Sequence, residues 1–276
     1  MTAPAGSSGP RALVALDVDG TVVDHDDRLS DRVRAAVQAA AEVAHVVIAT
    51  GRSTDGTLEV LDRLGLLRGH AVVSNGAVTL DLDPDSEKGF TVAEAVSFDP
   101  APALAAVREY LPAALYGIET EDLTKVLTEE FPPGELSGPY RVASFAELSR
   151  TRALRVIVRS LDHTPEDFER IVHRIGLNSV TYAVGWSAWL DIAPEGVSKA
   201  TALETVRRRL DVPPELTFAV GDGRNDIEML RWAAHSAAMG NALDDDVVAA
   251  ADEQIGTVHD DGLAAFLDRV LIGRAA

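Results

Sequence analysis

Short apolar runs, each closed by a polar or charged cluster, mark the first and last thirds of the chain. ALVAL (12–16), HVVIAT (45–50), AVV (71–73) and LTFAV (216–220) carry no acid, lysine or arginine on either side of their alternation. Runs of this length read as strands buried on both faces, as in a parallel sheet covered by helices. Between them the period changes. Ser30 is a suitable N-cap, and Val33, Ala36, Val37, Ala40 and Val43 follow at helical spacing. The spacing predicts further helices over Thr54–Leu66, from Ser198 to Leu210, over GRNDIEMLRWA and over Gly262–Ile272, and further strands at AWLDIAP (188–194) and HSAA. AVVSNGAVTL (71–80) reads as strand, Asn-Gly turn and short strand.

From about Asp81 the texture differs. DLDPDSEKG is a polar linker. FTVAEAVSF, a helix near Pro102–Tyr110, a loop at PPGELSGP, a strand LRVIVRS (154–160), a helix capped by Thr164 and a strand SVTYAV (179–184) follow. The expected architecture is α/β, a Rossmann-like, doubly wound parallel-sheet core with an inserted α+β cap domain. The expected division is a disordered tail at 1–10, a core at 11–81 and 189–276, and the cap at 82–188.

Apolar residues make up 46% and charged residues 25% of 276, which is ordinary for a globular chain. The net charge of −19 speaks against a nucleic-acid partner. The absence of cysteine excludes disulfides, thiolate metal sites and cysteine nucleophiles. MTAPAGSSGP has no signal-peptide pattern, and no apolar run reaches the roughly 18 residues of a membrane span, so a soluble, cytoplasmic protein without a membrane partner is expected. Composition says nothing of oligomeric state. Lysine is scarce: Lys88, Lys125 and Lys199 are the only three among 25 basic residues.

Every candidate for chemistry lies where a strand ends: DVDGT (17–21), TGR (50–52), SNGA (74–77), SK (198–199) and GDGRND (221–226). In open α/β sheets that edge is where ligands bind. Asp17 and Asp19 lie at i and i+2, on one side of an extended chain, and two acids at the mouth of a buried strand are costly unless paired or bound to a cation. Asp17, Asp222 and a backbone carbonyl freed by the Gly20 turn would suit Mg²⁺, which takes few protein ligands and keeps its waters. Asp226 reads either as a further ligand or outer support, or as a first-turn acid on a helix dipole. Lys199 sits where the dipole disfavours a cation, so it reads as a charge aimed at the acids or as a solvated helix start. Thr50 offers a hydroxyl, Arg52 a substrate clamp or an ion pair, and Asn75 a ligand or a turn residue.

In this order, DVDGT, ATGR, SNGA, GVSK, GDGRND and MGNA resemble the haloacid-dehalogenase (HAD) superfamily, most closely its Cof-type branch with a type IIB cap. Thr50 follows Asp17 by 33 positions, too few for a large cap there, whereas 149 separate Thr50 from Lys199. The resemblance implies a Mg²⁺-dependent phosphatase acting on a small phosphorylated metabolite, a sugar phosphate among the candidates. Asp17 would be the nucleophile and Asp19 the general acid and base. Asp17, Asp222 and the Asp19 carbonyl would hold the metal. Thr50 and Lys199 would hold the phosphoryl group, with Arg52, Asn75 and Asn225 toward the substrate. A phosphomutase of phosphomannomutase type, a catalytically silent binding protein and a structural cation site are the competing readings. In the cap, Glu119, Lys125, Arg141, Tyr182, Trp186 and Trp189 are equally core, surface or substrate contacts.

Overall fold

The structure is a computed structural model. It describes residues 11–175, 177, 180–184 and 188–272, and for 180–184 and 272 the backbone alone. The expected tail at 1–10, Trp186 and the side chain of Tyr182 lie outside the described residues.

In chain order the strands are β1 (Ala12–Leu16), β2 (Ala44–Ala49), β3 (Gly69–Val73), β4 (Val78–Leu82), β5 (Phe90–Ala95), β6 (Leu115–Glu119), β7 (Lys125–Leu127), β8 (Tyr140–Val142), β9 (Arg155–Arg159), β10 (Val180–Val184), β11 (Trp189–Pro194), β12 (Thr217–Gly221), β13 (His235–Ala238) and β14 (Glu253–Gln254). The helices the site depends on are α1 (Asp31–Val43), α2 (Thr54–Leu64), α3 (Ala101–Tyr110), α4 (Pro165–Ile175), α5 (Lys199–Arg209), α6 (Ile227–Trp232) and α7 (Gly262–Leu267).

The larger sheet runs β14-β13-β12-β1-β2-β3-β4-β5. It is parallel from β14 to β3 and finishes in an antiparallel β3-β4-β5 edge. Alternation explains why β1 is apolar throughout. Val14 and Leu16 pack with Val33, Val37, Leu61, Leu64 and Phe266 on the α1, α2 and α7 side. Leu13 and Ala15 pack with Leu203, Val206, Met229 and Leu230 on the α5 and α6 side. Both faces are dry, so both phases of the alternation must be apolar.

The smaller sheet runs β10-β11-β9-β6-β7-β8 and is antiparallel except for the β7–β8 pair. Tyr116, Ile118, Val156, Val158, Leu190 and Ile192 face α3 and α4 through Leu104, Val107, Phe168 and Val172. Two assignments differ from expectation. The segment 189–194 pairs with β9 and β10, so it belongs to the cap sheet and not to the core. The segment 90–95 pairs with β4, so it extends the core sheet and not the cap. Neither strand announces its partner: the apolar positions of β11 specify a buried face, not which sheet supplies it, and β5 is a sheet-edge strand with no fully buried residue. GRNDIEMLRWA, expected as one helix, opens with a 3-10 turn at Arg224–Asp226 before α6. None of the described helices is long and apolar enough to cross a membrane.

Candidate active site

Asp17 follows β1, Thr50 follows β2, Ser74 and Asn75 follow β3, and Asp222 follows β12. Because these strands are adjacent and parallel, their ends bring the five residues to one edge of the sheet. Lys199 reaches the same edge as the first residue of α5, fixed by Ser198. The Ser198 hydroxyl accepts from the Thr201 N–H while the Thr201 hydroxyl accepts from the Ser198 N–H.

Lys199 is the centre of the charge arrangement. Its Nζ donates to Asp17 Oδ1 at 2.5 Å and to Asp226 Oδ1 at 2.7 Å, with all three side chains buried. Burial alone would lower the Lys199 pKa; the Asp17 and Asp226 carboxylates reverse this and hold the ammonium above the ordinary lysine range. Carboxylate oxygens of Asp17, Asp222 and Asp226 lie within 4.8 Å of one another. Burial, then the Asp226 charge, push Asp17 up to about 7 despite the opposing Lys199. Burial, then the Asp17 and Asp226 charges, push Asp222 up to about 9. Three buried acids thus face one ammonium. The donor set is hard oxygen and the local balance is negative, which fits a small divalent cation.

Asp226 is tied to its neighbours through both carboxylate oxygens. With Oδ1 on Lys199, its Oδ2 accepts the backbone N–H groups of Asp222 (3.0 Å) and Gly223 (2.9 Å). Both oxygens are therefore committed to orienting neighbours. Two glycines make the close approach possible. A Cβ on Gly221 would lie 2.5 Å from the Asp226 carboxyl, and one on Gly20, at φ +81°, would lie 2.0 Å from Asp222 Oδ2.

Asp19 is placed otherwise. Arg52 holds it with Nη2–Oδ1 at 2.6 Å and Nε at 3.1–3.2 Å from both oxygens, and the same Nη2 reaches Asp27 at 2.7 Å. Of the two readings of Arg52, the structure shows the ion pair. Thr50 is fully buried and its Oγ1 accepts the Arg52 N–H at 3.1 Å. Asn75 takes a left-handed conformation (φ 55°, ψ 30°) and its Oδ1 accepts from Asn225 Nδ2 at 3.0 Å, so the turn residue is also tied to the site. A cleft of about 330 Å³ opens beside Lys199, Asn75 and Asn225, with Asp191 on its cap side.

Some members were not singled out from the sequence. Asn241, within the MGNA motif, donates to the Gly20 carbonyl (2.9 Å) and to Asp222 Oδ2 (3.2 Å), and its Oδ1 accepts from the Val258 N–H. Arg155 opens β9, whose interior is apolar, and Asp191 is the lone charge in β11; a charge in such a strand was the available signal. Among the six cap candidates, Glu119 and Lys125 are fully buried. Trp189 packs edge-on against Phe131 in the cap, and Arg141 pairs with Glu147 away from the site.

A parallel-sheet core with acids at its strand ends and a second domain over that edge defines a hydrolase of the HAD class. The chain belongs to the haloacid dehalogenase-like hydrolase family, whose model matches residues 14–267. It is 30% identical over 258 residues to a phosphoglycolate phosphatase of Natronomonas pharaonis, covering 94% of this chain and 97% of that protein. It is 25% identical to the phosphatase YwpJ of Bacillus subtilis, over 90% of this chain and 97% of the relative. A solved structure of the HAD subclass IIB sugar phosphatase BT4131 shares the fold, with a TM-score of 0.77, 24% identity, and 94% of this chain and 98% of the other covered.

Proposed function

We propose that the chain is a Mg²⁺-dependent phosphatase that hydrolyses a small phosphorylated metabolite through an aspartyl-phosphate. The observation that carries this reading is Lys199 joining Asp17 and Asp226 beside Asp222 at the ends of β1 and β12. Asp17, Asp222 and the Asp19 carbonyl would hold the metal, which when bound supplies positive charge against the transferring phosphoryl group. Asp17 attacks phosphorus, forming the Asp17–phosphorus bond as the ester oxygen departs. Asp19 gives that oxygen its proton, then takes one from the water that attacks the same phosphorus and releases phosphate from Asp17. Lys199 and Thr50 hold phosphoryl oxygens, with Asn75 and Asn225 on the cleft side. Arg52 aims the Asp19 carboxyl instead of clamping substrate.

The relatives act on different esters by name, a phosphoglycolate phosphatase and a sugar phosphatase, so the substrate panel includes phosphoglycolate and hexose phosphates beside p-nitrophenyl phosphate. Phosphate release is expected with Mg²⁺ and not with EDTA. Asp17→Asn should lower turnover by about 10⁴-fold or more, the scale on which removal of a nucleophile acts, with the fold retained. Release that persists in Asp17→Asn would overturn the assignment of the nucleophile. No release from any ester by the folded protein would overturn the phosphatase itself.

A further inference from the structure

Three charges form one row across the cap sheet. Glu119 on β6 is in register with Lys125 on β7 and with Arg155 on β9. All three are buried, on the face opposite the cap helices. Each ends on the core. Arg155 Nη1 donates to the Gly51 carbonyl at 2.7 Å, Glu119 Oε2 accepts from Ser74 Oγ at 2.7 Å, and Lys125 Nζ donates to Asp55 Oδ2 at 2.5 Å. Arg155 Nε also donates to Glu119 Oε2 at 3.0 Å, so these two charges form one network, which Arg155 Nη1 extends to Asp191 at 3.3 Å.

We propose that Glu119 and Arg155 are positioning residues that set the phosphoryl-binding loops from the cap. This rests on Thr50 and Asn75 being phosphoryl- and substrate-side groups, as above. Gly51 lies between Thr50 and Arg52, and Ser74 precedes Asn75, so Arg155 and Glu119 each grip a residue adjoining a site residue. The two loops are also stitched together: the Ser74 N–H donates to the Arg52 carbonyl (2.9 Å) and the Asn75 N–H to the Thr50 carbonyl (3.0 Å). A pull on either loop therefore moves both. Ser74 (φ 50°) and Asn75 (φ 55°) are consecutive non-glycine residues in the left-handed region, a conformation that persists only where surroundings impose it. The Glu119–Ser74 bond is one of the constraints that impose it.

Stability alone is a poor account of the network. Buried ion pairs commonly do no better than apolar residues of the same volume, and Glu119 Oε1 is buried with no hydrogen-bond partner. A buried pair, Glu119 with Arg155, that is costly to bury and that reaches the core at Ser74 and Gly51, next to site residues, is suited to coupling cap placement to site geometry.

The test uses the full chain. In Arg155→Met, amide exchange at Ser74 and Asn75 should accelerate about tenfold or more, while the β1 amides keep wild-type protection. With p-nitrophenyl phosphate and Mg²⁺, kcat should fall about 10- to 100-fold with KM within about twofold, and Arg155→Lys should recover part of the loss. Ser74→Ala and Glu119→Gln should each lower kcat, and the double variant should lose no more than the worse single one. Ser74→Ala removes only a hydroxyl, so it keeps the test open if Arg155→Met does not fold. Wild-type exchange at Ser74 and Asn75 in folded Arg155→Met, or fully additive losses in Ser74→Ala/Glu119→Gln, would overturn the proposal. Absence of turnover in the wild type would overturn the phosphatase reading alone, because the exchange measurement needs no substrate.

Discussion

Two of the three lysines, Lys199 and Lys125, are fully buried, and they are buried for different ends. Lys199 in the core faces two acids that are themselves buried, Asp17 and Asp226, with Asp222 close by. Lys125 in the cap faces Asp55, whose side chain is 39% exposed. Around Lys199 the acids outnumber the cation, so the core site is incomplete without further positive charge. The cap row, with Lys125 on Asp55 and Arg155 on Glu119 and Asp191, pairs two cations with three acids and is nearer balance. Excess charge of one sign belongs where a cation and an anionic group are to be bound; balanced charge belongs where geometry is to be held.

The largest effect expected from this contrast is that of Lys199→Met. It leaves Asp17 and Asp226 as buried carboxylates without their cation, and breaking such a pair typically costs about 3–5 kcal/mol. Urea unfolding in EDTA, where no metal can substitute, measures it. A loss below about 1 kcal/mol would show that the two acids do not depend on this cation in the metal-free fold. Turnover should also vanish, since the same ammonium would hold the phosphoryl group.

Next in size is a pH effect confined to the core. Asp17 and Asp222 are raised from an ordinary 3.8 to about 7 and about 9. In metal-free protein the folded state therefore keeps protons that the unfolded chain has already released. The stability contributed by these two groups is complete below about pH 4 and is lost as pH rises through about 7 and then about 9. Bound Mg²⁺ would hold both carboxylates ionised and flatten this dependence. Thermal unfolding at pH 5 and pH 9, with EDTA and with Mg²⁺, distinguishes the cases. Parallel curves with and without metal would separate the two acids from metal binding.

Most of the core site was legible because each of its residues closes a strand whose apolar run is visible, and parallel adjacent strands must bring their ends together. DVDGT, TGR and GDGRND needed no knowledge of long-range pairing beyond that. The scarcity of lysine also made Lys199 and Lys125 worth separate attention. Two things were not legible. One was sheet membership at the joins: β5 and β11 carry patterns that fit either sheet, and the choice is made by pairing partners far away in sequence. The other was the role of Arg155 and Glu119. Each is a charge at the end of an apolar run, and only the register of β6 on β9, together with the seating of that sheet on the loops at Gly51 and Ser74, gives them a common purpose.

The smallest effect is the sharpest test of the comparison. Lys125→Met removes a buried cation, as Lys199→Met does, but the acid left behind is Asp55 in the first turn of α2. Asp55 is partly exposed and lies where a helix dipole favours a negative charge, so water and the helix start can take over from the lysine. Glu119, the cross-strand neighbour of Lys125, keeps Arg155 and Ser74. Met matches the stem of Lys and can pack where its methylenes lay. Stability should therefore change by less than about 1 kcal/mol, the scale of a pair with one solvated member. The same urea titration reads both lysines. If Lys125→Met costs as much as Lys199→Met, burial of the lysine itself sets the penalty. If the two differ as expected, the penalty lies in the acids each lysine leaves behind.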